Sequence, residues 1–175
     1  MTTQPAFTFR WLSPLGITAI LFLGFSLICL IFGTLGPVLV RRYGPGSPSA
    51  SLMNWFVFSP RADAAYFGKS PTELAKEDPA IAELHVAMLN LYGGFLICLA
   101  ITQICLVWFG LRNGYMWALW ALAISDLAVV VHYWVIVVPP FARSFPLGMS
   151  DLHPYVLYPM IAVPIATILG WLNLR

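Results

Sequence analysis

The chain has 175 residues, 60% of them hydrophobic and 9% charged, with a formal net charge of +2. A soluble domain is about 45–50% apolar and about 25% charged, so a water-soluble globule, a disordered tail and a nucleic-acid binder are excluded. What remains is an all-α integral membrane protein: a single membrane domain, residues 1–175, built as a four-transmembrane-helix bundle.

Charge-free windows define the spans. No Asp, Glu, Lys or Arg occurs between Arg10 and Arg41, between Glu83 and Arg112, or between Asp151 and Arg175, and Asp126 is the single one between Arg112 and Arg143. About 20 apolar residues cross a bilayer core, and helix is the open-chain solution that satisfies its own backbone there.

The first span is expected at 12–35. Ser13-Pro14 opens it, with proline at a favoured first-turn position, and Gly33, Gly36 and Pro37 are expected to close it. It is too long for the apolar core of a signal peptide and no Ala-x-Ala site follows, so it is expected to remain as a helix.

A large extramembrane loop, about 36–84, comes next. Leu52 to Phe58 is apolar but too short to span. Ser70-Pro71-Thr72-Glu73 matches a capping box with proline at the first helical position, which predicts a short helix. Asp78-Pro79 repeats the start signal. The second span is expected at 85–109, with an early start at Pro79 as the alternative.

Arg112-Asn113-Gly114 reads as a tight turn into the third span, 115–138, which Pro139-Pro140 should stop. His153-Pro154 starts the fourth, 154–173, where Pro159 and Pro164 predict a kink or local unwinding. Trp11, Trp108, Trp117, Trp134 and Trp171 fall near span ends, as an interfacial belt would.

Small residues allow helices to approach closely in lipid. Three ridges are expected to pack: Ala162, Ala166 and Gly170 on the fourth helix; Asn90, Gly94, Cys98 and Thr102 on the second; Ala121 and Ser125 on the third. Cys29, Cys98 and Cys105 include no Cys-x-x-Cys pair, and each reads as a small hydrophobe. Six Lys and Arg in the first and third loops, against three in the amino tail, second loop and carboxyl end, place the first loop in the cytoplasm.

Asp126 is the most informative polar residue. At 1.5 Å per residue it lies about 17 Å from either end of its span, and an intramembrane acid is a functional candidate. In its neutral form it could donate a hydrogen bond or a proton to a ligand. The structural alternative is a neutral acid clamped to a neighbouring helix, for example at Thr167 or Ser26. His132, about 9 Å below the surface, is the second candidate for catalysis. Asp126 and His132 sit on different faces of one helix, which argues against a simple acid–base pair. Gln103 is expected to have no companion acid.

Topology gathers more polar groups. The second helix starts on the side where the third ends and the fourth begins. Glu83, His85, His132, Asp151, His153, Tyr155 and Tyr158 therefore collect at one surface, with Asn90 at about the depth of His132. Candidate ligand-binding residues are Asn90, His132, Tyr133, Asp126, His85, His153 and Tyr155. No metal site is expected, because the histidine spacing matches no metal signature. No cofactor is expected, since interfacial hydrogen bonding accounts for the set; haem or quinone is the alternative.

A short amino tail, a span, a large loop and three closely linked spans resemble the emopamil-binding (EXPERA) four-helix layout of sterol isomerases and sigma-2-type receptors. The Asp126-to-Tyr133 stretch and the aromatic, proline-rich fourth span add to the likeness. The resemblance implies a four-helix bundle that takes a lipid, quinone or sterol-like molecule. Those enzymes carry acids within their later helices, whereas the second span here has none, so no residue roles carry over.

Two functions follow as expectations. The first is an accessory or structural subunit of a larger membrane complex without intrinsic catalysis, its partners being the bilayer and other membrane subunits or further copies of itself. The second is a bundle that binds a small hydrophobic ligand, or an isomerase-type enzyme acting on one. A bacterial inner (cytoplasmic) membrane is the expected location.

Overall fold

The computed structural model describes residues 9–44, 58–143 and 145–175. Most of Leu52 to Phe58 lies outside these; of that stretch only Phe58 is described. Among the described residues the chain is helical and contains no strand. Four helices are long and apolar enough to cross a membrane.

Helix α1 (Pro14–Tyr43) is capped by Ser13, whose Oγ accepts from Gly16 N at 3.1 Å. It does not stop at Gly33, Gly36 and Pro37. It continues to Gly44, whose positive φ of 82° and N–H bond to the Val40 carbonyl (2.8 Å) end it. Glycine alone takes such a φ without strain. Gly33 serves packing instead of termination: a Cβ on it would sit 2.8 Å from the Gly93 carbonyl oxygen, and one on Gly93 would sit 2.5 Å from the Gly33 oxygen. The two backbones touch there, as small residues permit in lipid.

The segment before the second span forms two short helices, α2 (Pro60–Phe67) and α3 (Pro71–Glu77). The capping box at Ser70 and Glu73 forms as expected. Helix α4 (Pro79–Cys105) takes the earlier of the two expected starts, with Asp78 Oδ1 accepting from Ala80 N at 3.0 Å. It runs on through a π-turn (Leu106–Gly110) and a 3₁₀ turn (Leu111–Asn113). Gly114, φ 77°, makes the tight turn.

Helix α5 (Met116–His132) passes through a second π-turn (Tyr133–Val137) into α6 (Val138–Ala142). Pro139-Pro140 therefore does not stop the third span. Proline lacks the N–H that an interior helical position needs. The π-turn shifts the hydrogen bonding just before the prolines, and these fall in the first turn of α6, where that N–H is not needed. A 3₁₀ turn (Met149–Asp151) leads to α7 (Pro154–Leu174), which carries Pro159 and Pro164 in one unbroken helical run; the expected local unwinding is absent.

Helix α1 packs against α4 on one side and α7 on the other, and α7 packs against α5. Contacts between α4 and α5 cluster at the turn that joins them. There a Cβ on Gly110 would lie 2.4 Å from the Ala118 Cβ. The spatial order is thus α4–α1–α7–α5. The ridge Ala162, Ala166 and Gly170 is buried in it, and Thr18 Oγ1 donates to the Ala166 carbonyl at 3.1 Å. The ridge Gly94, Cys98 and Thr102 faces outward, with nothing within 4 Å of a Cβ on Gly94. Gly93, Leu96, Ala100 and Gln103 form the packed face of α4 instead.

The core has two parts. One holds Leu15, Phe22, Leu111, Leu119 and Val163 near the α4–α5 turn. The other holds Phe25, Cys29, Leu96, Tyr133 and Val156, together with Phe58 from the first loop. All five tryptophans expected at the interfaces are exposed.

Candidate functional site

The open side of the ring is a cleft between α4 and α5, about 790 Å³ in volume. Helix α4 supplies His85, Met88, Tyr92, Phe95 and Leu99; α5 and its π-turn supply Ala128, Val129, His132, Tyr133 and Val137. Phe32 and Gly36 of α1, with His153 and Tyr155 at the start of α7, form the back wall. All three histidines of the chain line this one space. Among the described residues, no Asp, Glu, Lys or Arg does.

Sequence position explains the grouping. His85 and Tyr92 are two helical turns apart on one face of α4. Tyr133 enters the π-turn and is buried, while its neighbour His132 stays exposed at the rim. His153 is the residue before α7, and its ring stacks on Tyr155 at 4.4 Å with an interplanar angle of 26°. Tyr155 in turn lies 5.6 Å from Tyr92, and their hydroxyls share a hydrogen bond. Phe32 meets His153 edge-on at 5.6 Å. Burial pushes the His153 imidazole down to about 3, so the ring is neutral at ordinary pH.

Five sequence-predicted residues therefore meet: His85, His132, Tyr133, His153 and Tyr155. Two do not. Asn90 is exposed, donates to the Val86 carbonyl of its own helix at 2.8 Å, and borders a separate shallow groove with Arg41 and Glu83. Asp126 is buried outside the cleft, in a layer between the two parts of the core. Tyr92 and Phe32 complete the site and were not anticipated from sequence. The seven-residue spacing from His85 is the signal that could have found Tyr92.

The layer around Asp126 overturns the expectation for Gln103. The Gln103 amide Nε2 donates to Asp126 Oδ1, and its Oε1 accepts from Ser26 Oγ at 2.9 Å. The acid is clamped to α4 and, through Gln103, to α1. Thr167, the other expected clamp, donates to the Val163 carbonyl of its own helix at 2.7 Å. Ser26, Gln103 and Asp126 are all fully buried, and Asp126 Oδ2 has no hydrogen-bond partner. Burying polar groups in hydrocarbon is costly unless they bond one another, so the three act as a polar rivet across α1, α4 and α5.

Above the histidine end of the cleft, the first and third loops are tied together. Asp151 accepts from Ser59 Oγ, from Arg61 Nη2 at 2.8 Å and from Gly148 N at 2.9 Å, and Ser59 N donates to the Asp151 carbonyl at 3.1 Å. Burial alone would raise the Asp151 carboxyl, but these bonds and the Arg61 charge hold it below the usual range. The tether seats Phe58 between Tyr133 (5.7 Å) and Phe141 (4.6 Å). Tyr158, expected with this group, instead donates to the Leu21 carbonyl at 2.9 Å.

Among the described residues no group of three or more His, Cys, Asp or Glu is placed to hold a metal ion. The three histidines share a cavity without converging on one point. Compared with protein families, curated proteins and solved structures, the chain matches none of them.

Proposed function

We propose that this integral membrane protein binds a small hydrophobic molecule with a polar end in the cleft between α4 and α5. The observation that carries this reading is the cleft itself: about 790 Å³, apolar along most of its walls, with imidazole and phenol groups at one end. Pockets for small ligands share that size and that mixture of apolar wall and few polar groups. Met88, Leu91 and Phe95 border the cleft and are exposed, so a ligand enters sideways from the bilayer. Among the described residues no acid lines the space, which favours binding over isomerase chemistry. The membrane proposed is a bacterial inner membrane, with the first loop in the cytoplasm.

The test is extraction in a polymer disc followed by native mass spectrometry. A small molecule retained at near one per chain, and lost in Ala128→Trp, is the expected result. A ligand-free wild-type protein would overturn the reading. The outward strip of Gly94, Cys98 and Thr102 supports a second reading, an accessory subunit whose partner helix packs there. The same native mass decides it, because a stoichiometric protein partner lost in Gly94→Leu is its expected outcome.

A further inference from the structure

The chemistry of the cleft specifies more than a hydrophobic guest. Among the described residues, its walls carry no charged side chain. Arg41 and Glu83 border the neighbouring groove instead. A phosphate, carboxylate or ammonium head would be buried here without a described counter-charge, which is strongly unfavourable. The polar groups present are phenols and imidazoles, which donate and accept hydrogen bonds while neutral. They stand on facing walls: His85 and Tyr92 on α4, His132 and Tyr133 opposite on the α5 side, with His153 and Tyr155 behind. A ring with oxygens at opposite ends would be bonded from both sides, whereas a sterol offers one hydroxyl. The Tyr155 ring, 6.1 Å from Phe32 and 5.6 Å from Tyr92, offers with them faces and edges that suit a planar conjugated ring.

Resting on the binding reading above, the geometry points to an isoprenoid quinone or quinol as the guest. Its dioxygenated ring lies among the tyrosines and histidines, and its tail passes Met88, Leu91 and Phe95 into the bilayer. Tyr155 donates to one ring oxygen, and the neutral imidazole of His153 accepts from a quinol hydroxyl.

The test uses the full chain in phosphatidylcholine nanodiscs with two photoreactive probes, an azidoquinone and a diazirine fatty alcohol. Saturable azidoquinone labelling within 85–99 and 128–137 is expected. Excess decylubiquinone should compete, and phosphatidylglycerol and cholesterol should not. Tyr155→Phe should weaken binding about fivefold, the loss of one hydrogen bond. Ala128→Trp, at an exposed position in the cleft wall, should abolish labelling without disturbing the fold, as checked by circular dichroism. Fatty-alcohol labelling of the same peptides that cholesterol or phosphatidylglycerol displaces better than decylubiquinone overturns the quinone assignment and leaves ligand binding standing. Absence of saturable labelling by either probe overturns both.

Discussion

Gln103 and Asp126 lie eleven residues before and twelve residues after Gly114, the turn between their helices. Nearly equal counts from a tight turn put two residues at one depth, so the pair is legible in principle. Thr167 and Ser26 are the partners that suggest themselves for Asp126 from sequence, and Gln103, towards the other end of its span, suggests none. The rivet predicts a specific cycle. Gln103→Leu strands a buried acid and should lower stability by about 1–3 kcal/mol. The double variant Gln103→Leu, Asp126→Leu should recover most of that loss, as followed by thermal melting in detergent. Additive losses would show that the two groups do not act together. Because Asp126 stands outside the cleft, Asp126→Asn should leave ligand retention unchanged. A lost ligand in that variant would return the acid to a functional role.

Helix boundaries show which sequence signals carry weight. Three helices begin at Ser-Pro pairs, Ser13-Pro14, Ser59-Pro60 and Ser70-Pro71, each with a serine hydroxyl accepting from the first turn. Two of these were read as starts, and the same signal at Ser59 marks α2, which was not foreseen. Stop signals misled, because glycine and proline have a second use in membranes. Gly33 and Gly93 let α1 and α4 meet, and Pro139 and Pro140 are absorbed by a π-turn. The outward ridge of α4 was misread because spacing gives relative faces on a helix and not which face turns inward. Gly93→Leu should therefore cost about 1–3 kcal/mol by overpacking, and Gly94→Leu should leave the melting temperature of the isolated chain nearly unchanged.

The loop tether and the start of α7 set the acid limb of stability. The folded His153 titrates near 3, and an unperturbed histidine at about 6.5. Between these values the unfolded state binds a proton that the folded state refuses, so stability rises with pH and levels off above about 6.5. Asp151 acts lower. Its folded value lies below the ordinary carboxyl value, so its contribution is full above about 3.9 and is lost as pH falls through the folded value. Melting in detergent should lose up to about 1.4 kcal/mol per pH unit below 6.5, and His153→Asn should flatten that limb. A pH-independent melting temperature from 7 to 4 would contradict the burial of His153.

At the scale of the molecule, the class of fold was plain from sequence because charge-free windows long enough to span are rare outside membranes. The gathering of histidines at one end was also legible, since alternating span direction fixes which ends coincide. Their closure into one cavity was not, because that depends on which helices are neighbours. Consecutive spans are usually adjacent along their length, yet α4 and α5 pack mainly near their turn, with the Gln103–Asp126 bond beyond it, while α1 and α7 fill the space behind.

That arrangement has the shape of a clothes peg. The hinge is the Gly110–Ala118 contact beside Gly114, and the jaws are the histidine-bearing ends of α4 and α5. The jaws do not hold each other; α1 and α7 brace them from behind, and the Asp126–Gln103 rivet sits between hinge and jaws. The width of the cleft is therefore set in part by residues outside its lining. Lengthening a side chain at Gly24, where the Tyr158 hydroxyl fills the place of a Cβ, would wedge α1 from α7 and change the bite at the opposite face of the molecule.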